Sequence, residues 1–174
     1  MENTQRAEPL EIERKFLIRM PDREVLERES LRFIDIEQIY LLGTEDSGSR
    51  RIRRSRSGGE EKRYFTEKLF VTHVTRLERE REISPAEWDE LLAQADLSRR
   101  PIEKRRWCVP YAGHTLEIDV FPFWTDRAFC EAELASEDEA LELPPWVEVI
   151  REVTEDPRYN NSSLARSVPM DELP

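Results

Sequence analysis

Cysteine, histidine and glycine are scarce in this chain, with two Cys, two His and five Gly among 174 residues. Cys108 and Cys130 are too few and too unpatterned for a zinc site or a disulfide framework, so a reducing cytoplasm is the expected setting. His73 and His114 stand apart and read as surface or turn residues. Any metal would therefore have to be held by carboxylates. No glycine-rich phosphate loop is present, which excludes a P-loop enzyme at the level of motif. No Ser-His-Asp or Cys-His nucleophile is evident. No apolar run reaches the length of a membrane-spanning helix, and Met1 to Pro9 lacks the apolar stretch of a signal peptide.

Charge of both signs is plentiful instead. The chain holds 27 Lys and Arg against 38 Asp and Glu, for a formal net charge of −11. The acidic excess argues against nucleic-acid binding. The length suits one domain spanning 1–174, with a core from about 10 to 166. Eight strands are expected, at 10–18, 33–42, 49–57, 61–70, 74–83, 101–109, 115–121 and 128–135. Helices are expected at 22–30, at 85–95 and briefly at 136–141. Ser84-Pro85-Ala86-Glu87 has the form of a capping box at a helix start, and Gly58-Gly59 marks a turn. A short extended piece near 147–153, a polar turn or helix at 160–166 and a loose end at Pro169–Pro174 complete the reading.

The informative pattern is alternation. In Glu11-Ile12-Glu13-Arg14-Lys15 the charges at 11, 13 and 15 share one strand face, because side chains alternate sides. The spacing returns at Arg51/Arg53, Glu80/Glu82, Lys104/Arg106, Glu117/Asp119 and Glu131/Glu133. Apolar residues lie behind most of these pairs, although Arg14, Glu67, Arg79 and Arg81 fall on the apolar side. Two arrangements fit. One is a closed antiparallel barrel with the charges lining its lumen and helices packed outside. The other is an open sheet with helices on one face and charges in water on the other.

If the charged faces converge, crowded carboxylates raise one another's pKa, and a hard divalent cation relieves them. Oxygen ligands without nitrogen or sulfur point to Mg²⁺ or Mn²⁺. Arginine forks and lysine ammoniums in the same space suit phosphate oxygens. Metal and phosphate-binding cations together imply a metal-chelated polyanion such as a triphosphate, and phosphoryl transfer to water.

The ordered set of motifs resembles the CYTH superfamily, also called triphosphate tunnel metalloenzymes. Glu11-Ile12-Glu13-Arg14-Lys15 matches its ExExK signature, and Arg51-Ile52-Arg53 is similar to its RxR. Thr66-Glu67-Lys68 is similar to its TxK, and Glu80-Arg81-Glu82 to its ExE, with Glu78 leaving that register open. Lys104-Arg105-Arg106 resembles KxR, Glu117-Ile118-Asp119 ExD and Glu131-Ala132-Glu133 the late ExE. The resemblance runs from about Leu10 to Ala165. It implies an α+β fold, an eight-stranded antiparallel closed β-barrel with a charged lumen. It also implies roles: Glu11, Glu13, Asp119, Glu131 and Glu133 for metal; Lys15, Arg51, Arg53, Lys68 and Arg106 for the triphosphate. Lys104 is a general acid or leaving-group stabiliser by the same likeness, and Glu80 and Glu82 orient water or the basic residues. Glu117 positions an arginine or touches metal, and Tyr40 stands where many members have a tyrosine. Two departures stand out. Ser162 and Ser163 occupy the stretch where many members carry a plug-helix lysine, with Arg158 and Arg166 nearest, and Ile39 replaces a glycine. The implied activity is hydrolysis of inorganic triphosphate by a monomer or homodimer acting on a small molecule, without nucleic acid or membrane. Thiamine triphosphate hydrolysis, class IV-like adenylate cyclase activity and non-catalytic polyphosphate binding are the alternatives.

Overall fold

The computed structural model describes residues 12–44, 47–70 and 76–174. Glu11 and His73 lie outside the described residues. The elements in chain order are β1 (Ile12–Arg19), α1 (Arg23–Glu29), β2 (Arg32–Leu41), β3 (Ser47–Ser57), β4 (Glu60–Phe70), β5 (Arg76–Glu82), α2 (Pro85–Leu92), β6 (Ile102–Tyr111), β7 (His114–Val120), β8 (Arg127–Leu134) and β9 (Val149–Glu152). A 3-10 turn at Pro157–Tyr159 and α3 (Asn161–Leu164) follow.

Local chemistry explains the corners. Ser57 pairs with Glu60 across a two-residue loop. Gly58 and Gly59 adopt φ of 58° and 84° there, the doubly positive turn whose twist matches a hairpin. Between β6 and β7 the same role falls to Ala112 and Gly113, at φ of 47° and 83°, and the alanine carries strain that a glycine would not. At the start of α2 the capping box forms. Glu87 N donates to Ser84 Oγ at 3.2 Å and Ser84 N donates to Glu87 Oε2 at 3.0 Å.

All nine strands form one antiparallel sheet in the order β5-β4-β3-β2-β6-β7-β8-β1-β9. The expected closed eight-stranded barrel is therefore corrected. β9 occupies the second edge of β1, the edge that closure would have needed, and β5 ends the order without a further ladder among the described residues. The helices cover one face. Leu26 of α1 packs with Phe16, Trp107 and Ile118, and Trp88 of α2 with Ile39, Leu41 and Ile52. Burying such side chains is worth about 1.5–3 kcal/mol each. This is the outer face.

The inner face is charged along most of its length and apolar at one end. There Leu17, Tyr40, Ile102, Phe121, Trp124 and Phe129 gather with Tyr159, Leu164 and Ala165 of the C-terminal turns. These residues make a floor. Pro169–Pro174, expected to be loose, docks beside it, with Trp124 Nε1 donating to Pro169 O at 2.9 Å and Arg127 Nη2 to Asp171 O at 2.7 Å. The helix expected at 136–141 is absent. Glu139 instead accepts from Ala135 N at 2.5 Å and meets His114 Nε2 at 2.8 Å. The side chain thus takes over backbone and ring donors and favours a turn.

Candidate active site

Residues directly opposite in an antiparallel ladder point to the same side, so the register decides which charges meet. Glu13 faces Glu133 and Lys15 faces Glu131. Glu131 faces Glu117, and Arg106 faces Asp119. Lys104 faces Ile36. Gln38 faces Arg53, and Tyr40 faces Arg51. Arg51 faces Thr66, which faces Glu80, while Tyr64 faces Glu82 and Lys68 faces Glu78. Every site residue expected from the sequence and described here therefore lies on the inner face. That face is also concave. Leu17 on β1 and Tyr40 on β2 stand four strands apart, about 19 Å on a flat sheet, yet both belong to one apolar cluster with Tyr159 and Leu164. Arg106 Nη2 also reaches Glu131 Oε2, two strands away, at 3.2 Å.

The acidic half, on β1, β6, β7 and β8, is densely ion-paired. Asp119 is fully buried. Its Oδ2 lies 2.5 Å from Lys104 Nζ and 2.8 Å from Arg106 Nη2, and its Oδ1 lies 2.7 Å from Arg106 Nε. Arg106 also meets Glu117 Oε2 at 2.5 Å. Glu131 holds Lys15 Nζ at 3.0 Å, and that ammonium sits 4.9 Å above the Phe129 ring of the floor. Burial raises the cost of ionising Asp119, but Lys104 and Arg106 outweigh it and hold its carboxyl at about 2. Burial lowers the hold of Lys104 on its proton. It also opposes the charge of Arg106, and Asp119 more than offsets that.

Glu13 behaves in the opposite way. It is exposed along part of its length, yet burial of its carboxyl and the neighbouring Glu131 push it up to about 7. Burial raises Glu117 as well. Repulsion between Glu13 and Glu131 suits a hard divalent cation, and Glu133, opposite Glu13 in the ladder, is a third oxygen donor on the same face. Asp119 and Glu131 are each engaged at both oxygens, Asp119 by Lys104 and Arg106 and Glu131 by Lys15 and Arg106, so a cation bound there would displace those partners. Among the described residues no three such side chains already form a cage.

The basic half, on β2, β3, β4 and β5, is looser. Arg53 Nε and Nη2 donate to Gln38 Oε1 at 3.3 and 3.2 Å, and Gln38 Nε2 donates to Tyr40 Oη at 2.8 Å. Burial, then the adjacent Arg51, lowers the proton affinity of Arg53. Arg51 Nη2 lies 3.6 Å from Glu78 and Lys68 Nζ 3.3 Å from the same carboxylate. Thr66 Oγ1 donates to Glu80 Oε2 at 2.8 Å. The register left open by sequence is settled, with Glu78, Glu80 and Glu82 all on the inner face. Gln38, Thr66 and Glu78 were missed as partners. Thr66 was visible only as a motif letter, and a lone Gln in a strand carries no signature. Arg158 faces away, held by Asp156 at 2.7 Å on the surface, so it does not supply a cation here. A groove of about 500 Å³ lies on the outer face beside Asp35, Glu37, Arg54 and Arg105. Most of its charges are already matched, as in Arg105 Nε to Asp35 at 2.7 Å.

Known proteins share this arrangement. Residues 9–168 match the CYTH domain. The chain is 35% identical over 159 residues to an inorganic triphosphatase of Acetivibrio thermocellus, covering 90% of this chain and 94% of that one. It is 37% identical to an inorganic triphosphatase of Nitrosomonas europaea, covering 91% and 99%. A crystal structure of an inorganic triphosphatase superimposes with a TM-score of 0.61 at 32% identity, over 93% of this chain and 98% of that one. With a charged concave sheet, the motifs in register and relatives that span its length, the chain belongs to the CYTH domain family.

Proposed function

We propose that the protein hydrolyses a triphosphate on its concave face, and that its substrate is inorganic tripolyphosphate, cleaved to pyrophosphate and phosphate. The observation that carries this is the meeting of opposites on one surface. Among the described residues Arg51 Nε has no hydrogen-bond partner and Arg53 bonds the Gln38 oxygen alone, on the same face as a knot of carboxylates that includes Glu13 and Glu131. Two relatives that cover nearly the whole chain are inorganic triphosphatases.

Glu13, Glu131 and Glu133, with Glu11 beyond the described residues, would hold Mg²⁺ or Mn²⁺, which neutralises charge on the phosphate oxygens when bound. Lys15, Arg51, Arg53, Lys68 and Arg106 bind the phosphate chain and keep the scissile bond in line with water. Their N–H donors are preorganised, and each one aimed at developing charge is worth about 2.7–4 kcal/mol. Lys104 Nζ, whose proton burial loosens, gives that proton to the leaving phosphate oxygen. Glu80, fixed by Thr66, orients water or the neighbouring cations, and Glu82 serves beside it. The thiamine alternative lacks support from the aromatic residues. Trp107 packs on the outer face, Trp124 is buried in the floor, and the half-buried Phe123 is stacked on Phe121 at 5.0 Å, so none of the three offers a free ring to a thiazolium.

The test offers tripolyphosphate, thiamine triphosphate and ATP to purified protein with Mg²⁺ or Mn²⁺, following phosphate and cyclic AMP. Preferred turnover of tripolyphosphate is expected. Cyclic AMP, or faster release from thiamine triphosphate, would overturn the assignment.

A further inference from the structure

Gln38 sits on β2, where the basic half adjoins β6, and is 1% exposed. A buried amide without partners is costly, and this one is matched at both ends. Its Nε2 donates to Tyr40 Oη at 2.8 Å. Its Oε1 accepts from two nitrogens of Arg53, at 3.3 and 3.2 Å. The orientation of the amide follows from its partners, because only the oxygen can accept from a guanidinium. Tyr40 is itself immobilised. It is 4% exposed, its ring packs into the floor, and the Arg99 guanidinium lies over it at 5.0 Å. A rigid chain therefore runs from the floor through Tyr40 and Gln38 to Arg53.

The character of that last contact sets Arg53 apart. Arg106 is gripped by Asp119, Glu117 and Glu131, and Arg54 by Glu37. Arg53 has no ion pair among the described residues, and its hydrogen-bond partner is neutral. A carboxylate at position 38 could hold the same fork and would cancel its charge. A guanidinium has five N–H donors, and those not bonded to Gln38 remain free to fork onto phosphate oxygens.

We infer that Gln38 is a positioning residue, which fixes the direction of the Arg53 guanidinium towards the triphosphate while leaving it without a paired carboxylate. The inference deepens the triphosphatase reading and rests on it.

A double-mutant cycle tests it. Tripolyphosphate binding is measured by calorimetry without metal, and turnover separately, for the unmodified protein, Gln38→Leu, Gln38→Glu, Arg53→Ala and Gln38→Leu/Arg53→Ala. Gln38→Leu should weaken binding about tenfold and act on KM more than kcat. In the Arg53→Ala background the same change should matter less than about twofold, since the two residues act as one unit. Gln38→Glu, nearly the same shape, should keep its melting temperature yet weaken binding about tenfold, because it neutralises the arginine. Full additivity of Gln38→Leu and Arg53→Ala would overturn the inference. So would unchanged binding by Gln38→Glu, which decides the matter if Gln38→Leu does not fold. Absence of turnover in the unmodified protein would remove the hydrolase reading alone, while loss of coupling in the binding cycle would remove this one alone.

Discussion

On β6, β7 and β8, Lys104 and Arg106 close on Asp119 at 2.5 and 2.7 Å. On β2 and β3, Arg53 rests on a glutamine carbonyl at 3.2 Å. Both halves of the inner face present arginine and lysine, but the partners differ in charge. Where carboxylates answer the cations, the pairs are buried and mutually dependent, and removing one member strands the others. Where a neutral amide answers, the cation keeps its field for a ligand. On the proposed reading the acidic half combines structure, a metal site and the phosphate contacts of Lys15 and Arg106, and the basic half receives the rest of the anion. Sharing a face is not sharing a role.

Removing Asp119 should produce the largest effect. Asp119→Ala leaves Lys104 buried without its paired carboxylate and takes from Arg106 one of its three, at a cost of about 3–5 kcal/mol. Urea denaturation reads this directly, and a loss below about 1 kcal/mol would erase the distinction between the halves. Arg53→Ala should invert the pattern. Stability should change by no more than about 1–2 kcal/mol, while kcat/KM for tripolyphosphate falls about a hundredfold. Equal damage to folding and to catalysis would show that the basic half is structural too.

Acidity sharpens the contrast further. The Glu13 carboxyl, pushed from its ordinary 4.5 to about 7, holds its proton more tightly folded than unfolded. Its stabilising contribution is full below the unfolded value and is lost as pH rises through about 7. Asp119, held at about 2 against an ordinary 3.8, has the opposite sign. Its contribution is present above 3.8 and is lost as pH falls towards 2. The melting temperature of the metal-free protein should therefore decline between about pH 5 and pH 7, and Glu13→Gln should flatten that decline. An unchanged slope in Glu13→Gln would place the titration elsewhere. The smallest effect belongs to the edge pair of Arg14 and Glu152, 2.8 Å apart and solvent-accessible. Arg14→Ala should cost less than about 1 kcal/mol and leave tripolyphosphate turnover intact, and a larger loss on thermal melting would mean that β9 depends on this contact.

Much of this was legible in the residues because strand alternation is a strict period of two. Once Glu13, Arg53 and Glu131 are assigned to strands, their common face follows, and the ladders place them so. Sheet closure was not legible. It depends on which strand takes the free edge of β1, and Val149–Glu152, four residues long, has no sequence feature that names its partner. Nor could spacing say which carboxylates remain free for a cation. Asp119 has the same chemistry as Glu13 in the sequence, and only the approach of Lys104 and Arg106 separates them. Gln38 escaped notice because its importance lies in what it touches.

Mn²⁺ and tripolyphosphate titrated separately into the unmodified protein, Glu13→Gln and Arg53→Ala test the division of labour most directly. Glu13→Gln should lose Mn²⁺ binding and keep most of its affinity for free tripolyphosphate, while Arg53→Ala should do the reverse. Undiminished Mn²⁺ binding by Glu13→Gln, or undiminished tripolyphosphate binding by Arg53→Ala, would contradict that division.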